Sequence, residues 1–154
     1  MSLSDKNIEL DLLKWKDKMV ISEKDGKKLI YDPIRKKNVL LQPEEFVRQL
    51  LIRWLTEEGN IHKNRIQVEK MLMLNGLTRR FDVVVYDPYV QPYILIECKA
   101  PEVLVNQTTF DQIAMYNMKL EAPYLIVTNG VKTYFAKMDH ICQKYHFFDQ
   151  VPLW

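Results

Sequence analysis

Residues 79–99 read RRFDVVVYDPYVQPYILIECK, two apolar runs separated by a break at Asp87-Pro88, each carrying charge where a buried strand should have none. In the first run Phe81, Val83 and Val85 alternate with Asp82, Val84 and Tyr86. That period of two predicts a β-strand with Asp82 at an otherwise apolar position of one face. The second run, Tyr93 to Lys99, is bounded by Pro92 and Pro101. As a strand it sets Glu97 and Lys99 on one face.

A carboxylate inside a β-branched run is costly to bury unless it is paired, hydrogen-bonded or bound to a metal. One reading is structural: Glu97 and Lys99 pair with each other on an exposed sheet face. The other is chemical. Two carboxylates on adjacent strands can hold one hard divalent cation, and a lysine two residues further along can orient or deprotonate an attacking water.

The chain around this stretch has 154 residues, 47% hydrophobic and 27% charged, with four glycines, a balance that predicts one globular domain rather than disorder or repeats. We divide residues 1–154 into an N-terminal arm (1–38), a core (39–136) and a C-terminal tail (137–154). No apolar run reaches the roughly 20 residues that span a bilayer, and the first residues lack the apolar core of a signal peptide. A cytoplasmic location is expected, and two cysteines form no disulfide framework. The net charge of +2 is far from the basic excess that would alone mark a nucleic-acid binder. The histidines, at 62, 140 and 146, match no zinc-site spacing.

In the arm, an apolar segment (Ile8 to Val20) precedes a short strand near Leu29-Ile30-Tyr31, turned by Asp32-Pro33. The basic run Arg35-Lys36-Lys37 reads as a solvated loop or a phosphate contact. A helix then starts at Pro43, with Glu44 and Glu45 complementing its positive end and Val47, Leu50, Leu51, Trp54 and Leu55 recurring at helical spacing up to Gly59-Asn60. On the helical wheel Glu44 falls on the apolar arc and Glu45 points the other way. Glu44 is therefore either a helix-start carboxylate satisfied by backbone amides or part of a metal site.

Residues 65–74 read as a strand, joined antiparallel to the Asp82 strand by the hairpin signal Asn75-Gly76. Glu69 in that strand reads as structural. Arg79 and Arg80 either meet a phosphate or pair with a nearby carboxylate. A helix over roughly Asn106 to Leu120 carries Gln112 and Tyr116 one turn apart. Pro123 to Thr128 is a buried-type strand, Asn129-Gly130 turns the chain, and Val131 to Ala136 is its partner. The tail, with Tyr145, Phe147, Phe148 and Trp154, caps the core or contacts a partner.

Taken in order, PEEFVRQLLIRWL, the hairpin strand, RRFDVVVYD, ILIECKAP, DQIAMYN and YLIVTNG resemble the N-terminal nuclease domain of type I restriction enzyme R subunits, in a small stand-alone form, within the PD-(D/E)XK nuclease superfamily. The resemblance covers about residues 29–135, with Phe81-Asp82 standing where Pro-Asp is usual. It implies an α/β, restriction-endonuclease-like fold, a mixed central β-sheet flanked by α-helices. It further implies Mg²⁺, with Mn²⁺ as substitute, held by Asp82, Glu97 and the Cys98 backbone carbonyl, and Glu44 reaching the metal through water. Lys99 would hold and help activate the attacking water, while Gln112 and Tyr116 would support nucleic-acid binding, alongside Arg79 and Arg80. The implied activity is metal-dependent DNA hydrolysis, endonucleolytic by family analogy, with DNA and subunits of a restriction or repair system as partners. No GxxxxGK[ST] loop occurs in these residues, so the ATP-driven motor of R subunits is not encoded in them. The alternative expectation is a non-catalytic nucleic-acid-binding or assembly module that keeps the nuclease fold.

Overall fold

A computed structural model describes residues 3–150. Nine strands and two α-helices follow in the order β1 (Ile21–Lys24), β2 (Lys27–Asp32), β3 (Lys37–Leu40), α1 (Pro43–Glu57), β4 (Ile66–Leu74), β5 (Leu77–Tyr86), β6 (Pro92–Cys98), α2 (Gln107–Leu120), β7 (Tyr124–Thr128), β8 (Thr133–Asp139) and β9 (Lys144–Phe147). Strands β4 to β9 form one six-stranded sheet in sequence order. All its pairs are antiparallel except β6 with β7, which α2 connects as a parallel crossover. The result is an α/β fold with a mixed sheet and helices, consistent with a restriction-endonuclease-like architecture.

The near-continuous apolar runs VVV, ILI and LIV in β5, β6 and β7 have a simple cause: both sheet faces are covered. Val83, Val85, Ile94, Ile96, Ile126 and Phe135 pack in one cluster with Leu50, Leu51, Trp54 and Leu55 of α1. Val84, Leu95, Leu125, Val127 and Ala136 pack in a second with Phe110, Ile113 and Ala114 of α2. The Asn75-Gly76 turn adopts left-handed φ at both residues (50° and 75°), the geometry that lets β4 and β5 meet with Leu74 opposite Leu77.

The arm is more structured than one short strand. It forms an antiparallel three-stranded meander, β1-β2-β3, because each lysine-rich turn is flanked by residues that pair across it, such as Ile21 with Ile30 and Ile30 with Val39. The segment Ile8 to Val20 holds a 3₁₀ turn (Leu13–Lys18), and Ile8 and Leu12 enter the α1 cluster. The Ile8 amide bonds to the Thr133 carbonyl (2.8 Å), tying the arm to β8. In the tail, β9 adds an edge strand to the main sheet, and Tyr145 and Phe147 pack on Phe110 of α2. Trp154 lies outside the described residues.

Phe81 does not share a face with Val83 and Val85, as simple alternation predicts. It joins the α2 cluster with Val84, whereas Val83 and Val85 join the α1 cluster. The alternation breaks at Asp82. Between the pairs Val68–Val83 and Lys70–Phe81 stand Glu69 and Asp82, and Glu69 has φ 54°, a left-handed conformation foreign to a strand.

Candidate active site

The register Val83–Ile96, Val84–Leu95 and Val85–Ile94, extended by one residue, sets Asp82 across from Glu97 on neighbouring strands. Asp82 accepts a hydrogen bond from the Cys98 amide at Oδ2 (2.8 Å). Lys99 follows β6 directly, held by its amide on the Thr128 carbonyl (2.8 Å), and its Nζ reaches Glu97 Oε1 at 3.3 Å. Four sequence-predicted residues are thus drawn together by one strand pair: Asp82, Glu97, Cys98 and Lys99.

The electrostatics of this group are unbalanced. Burial, then the neighbouring Asp82 charge, push the Glu97 carboxyl up to about 7, against the pull of Lys99. Burial also raises Asp82, opposed by the Cys98 amide and the charges of Arg48, Lys99 and Arg80. Lys99 loses by burial but gains more from Glu97 and Asp82, so its ammonium holds its proton above the ordinary lysine range. The Cys98 thiol, fully buried, is driven well up by burial and by Asp82, which makes it a poor thiolate donor and leaves its backbone as the useful part.

Glu44, half-buried in the first turn of α1, faces the same charges: burial raises its carboxyl first, Asp82 second, and Lys99 and Arg48 oppose. Glu45 does not point away into solvent. It is 9% exposed, with Oε1 2.6 Å from Arg35 Nη2 and 2.9 Å from Gln49 Nε2, and Oε2 3.5 Å from Arg48 Nη1. The wheel turns it away from the apolar arc, but the half-buried Arg35 of the β2–β3 loop and the buried Arg48 cover that side of α1 and match its charge.

Sequence reasoning passes over Arg48 and reads Arg35 as part of a solvated loop or a phosphate contact, whereas Arg35 is paired inside the protein. Arg35 turns back from the β2–β3 loop to Asp32, Glu45 and Glu69 (3.3 Å to the last). Arg48, 4% exposed, stands 3.5 Å from Glu69 Oε1 and 3.6 Å from Asp82 Oδ1, and its Nε makes no hydrogen bond among the described residues. A local signal for Arg48 did exist: it lies four residues after Glu44 and three after Glu45, on their side of the helix. Glu69, read from sequence as structural, is the strand carboxylate that both arginines share.

Arg79 and Arg80 are exposed near the start of β5. The Arg79 guanidinium lies over the Tyr116 ring, 4.7 Å from its centroid. Tyr116 and both arginines line a cleft that ends at Glu97. Gln112 stands at the surface of α2 one turn before Tyr116, outside that lining.

A hard divalent cation fits the donor set, since two carboxylates whose charges resist coexistence are what such an ion neutralises. Asp82, Glu97 and the Cys98 carbonyl would hold it. Among the described residues no three His, Cys, Asp or Glu side chains stand close enough to form a complete metal cluster by themselves. A comparison with curated proteins returned no match. The model of the family described as type I restriction enzyme R protein N terminus matches residues 43–152, from the first residue of α1 past β9. The chain belongs to this family, the N-terminal domain of type I restriction enzyme R proteins.

Proposed function

We propose that the chain is a Mg²⁺-dependent nuclease that hydrolyses DNA phosphodiester bonds in the cytoplasm. The observation that carries this reading is the Asp82–Glu97–Lys99 group, two part-buried carboxylates on adjacent strands with an ammonium 3.3 Å from one of them. When bound, the metal would polarise the scissile phosphate and lower the pKa of a coordinated water. Asp82 and Glu97 would hold the metal, and Glu44 would reach it from α1 through water. Lys99 keeps its proton near neutral pH, so its role is to orient the water and counter developing negative charge rather than to take a proton. Arg79 and Arg80 contact the DNA backbone beside the site. Family membership supports DNA as substrate and assembly with further restriction subunits as context.

The test is cleavage of linear, circular and single-stranded DNA with Mg²⁺ or Mn²⁺, comparing the native protein with Asp82→Ala and Lys99→Ala. Metal-dependent cutting that both variants lose supports the assignment, and nicking of the circle identifies an endonuclease. Retained cutting in Lys99→Ala sinks the lysine's role.

A second reading, a binding or assembly module without catalysis, draws on Arg48, which already supplies Asp82 with a positive charge 3.6 Å away. Metal binding separates the two readings. A two-carboxylate site raises the melting temperature with Mg²⁺ or Mn²⁺ by mass action, and a purely structural ion network does not.

A further inference from the structure

We propose that the cleft between β5 and α2 receives one unpaired nucleobase next to the scissile phosphate, so that the substrate is nucleic acid with unpaired nucleotides: single strands, bulges or flaps. This rests on the nuclease reading and adds the substrate's structural class to it.

The lining of the cleft, apolar at Phe81 and Ile113, aromatic at Tyr116 and cationic at Arg79 and Arg80, suits a flat ring that carries a phosphate. Its deep part is formed by Phe81 and Ile113, 4% and 8% exposed. Its side is the Tyr116 ring, 37% exposed, with the Arg79 guanidinium laid over it at 4.7 Å. An aromatic ring with a guanidinium over it offers π-surface and charge together, the groups on which bases are held. Arg80 is exposed beside Arg79, and the half-buried Glu97 completes the lining. A phosphate does not suit the interior, where apolar side chains meet a carboxylate. It suits the mouth, where two arginines stand. A nucleotide entering base first therefore leaves its phosphate outside the apolar part, among the arginines, while Glu97 in the same lining links the cleft to Asp82 and Lys99.

In a perfect duplex each base is stacked and paired, and bringing one into such a cleft means extruding it from the helix. An unpaired base has less to lose. The cleft should therefore discriminate by pairing state, with little preference among the four bases, because every base has a π-face.

The experiment is fluorescence anisotropy in EDTA, where binding is read without cleavage. The labelled DNAs are a perfect duplex, the same duplex with a single-nucleotide bulge, that bulge made abasic, and one strand alone. Native protein should bind the bulged duplex and the single strand about tenfold more tightly than the perfect duplex. The abasic bulge should fall back to duplex affinity. Tyr116→Ala should erase the preference, and Tyr116→Phe, which keeps the ring, should retain it. Equal affinity of native protein for perfect, bulged and abasic DNAs overturns the pocket and leaves the nuclease reading standing. A preference that survives Tyr116→Ala also overturns it, and absence of binding to every DNA overturns the pocket and the DNA reading together.

Discussion

Arg48 Nη2 stands 3.6 Å from Asp82 Oδ1, so the strand carboxylate that defines the site is already held by a buried cation from α1. The same guanidinium is 3.5 Å from Glu45 and 3.5 Å from Glu69. One side chain thus joins the helix to both strands of the β4–β5 hairpin at the place where alternation breaks. Glu69 holds its left-handed φ of 54° there, a conformation that costs on the order of 1–3 kcal/mol and persists only where surroundings fix it. The two arginines that hold its carboxylate supply that constraint.

Removing one member of a buried ion network leaves the others uncompensated. Arg48→Met should therefore lower unfolding free energy by about 3 kcal/mol, read by urea denaturation. Arg48→Lys should recover only part, because a single ammonium cannot face three carboxylates as a planar guanidinium does. Combined with Asp82→Asn, the loss should be smaller than the sum of the single losses. Strict additivity, or a loss under about 1 kcal/mol, would show that Arg48 and Asp82 are not coupled.

The main sheet was legible because its chemistry is local. Asn75-Gly76 fixes a two-residue turn wherever it stands between apolar runs, and VVV and ILI have no solution but a sheet covered on both sides. Asp82, Glu97 and Lys99 stood out for the same reason, as charges where a strand has none. The Arg35–Arg48 network was not legible. It joins positions 32, 35, 45, 48, 69 and 82 from five separate elements, and no window of sequence contains it. The arm's meander was hidden by its lysines, since Ile21, Leu40 and Tyr31 are themselves exposed and leave no clean two-residue period.

Stability should fall as pH rises toward neutrality, and Glu97 should be the main cause. Its carboxyl moves from an ordinary 4.5 to about 7 in the folded chain. Between those values the folded state holds a proton that the unfolded chain has released. The contribution is complete below about 4.5 and is lost as pH passes through about 7. Glu97→Gln should flatten the melting-temperature profile across that window. Because a metal must displace the same proton, the Mg²⁺-linked rise in melting temperature should be larger at pH 8 than at pH 6. A Mg²⁺ effect independent of pH would argue against Glu97 as a ligand.

The end of α2 offers a test of packing away from the site. Asn117, fully buried, donates from Nδ2 to the Ala122 carbonyl (3.0 Å) and accepts the Ala122 amide at Oδ1 (3.1 Å). Glu121 between them sits at φ 61°. Asn117→Ala strands a buried amide and should cost about 2 kcal/mol. Glu121→Gly should instead be neutral or stabilising by up to about 1 kcal/mol, since glycine takes the left-handed conformation without steric penalty. Paired urea curves check both, and a destabilising glycine would mean that the Glu121 side chain has a role of its own.

Glu44 and Glu45 are adjacent in sequence, and their surroundings assign them opposite work. Glu45 is bonded to Arg35 and Gln49 and lies against Arg48, so its charge is already matched inside the protein. Glu45→Gln should lower unfolding free energy by about 1.5–3 kcal/mol, the usual value of hydrogen bonds to a charged group. It should leave the Mg²⁺-linked melting increment intact. Burial and then the like charge of Asp82 raise the Glu44 carboxyl, with Lys99 and Arg48 only partly offsetting. Glu44→Gln relieves that repulsion, so the metal-free protein should melt at the same temperature or slightly higher. The Mg²⁺ increment should shrink, because the cation loses a carboxylate that was unfavourable without it. If Glu45→Gln shrinks the increment and Glu44→Gln does not, the metal's helix carboxylate is Glu45, and the Arg35 network must open to release it.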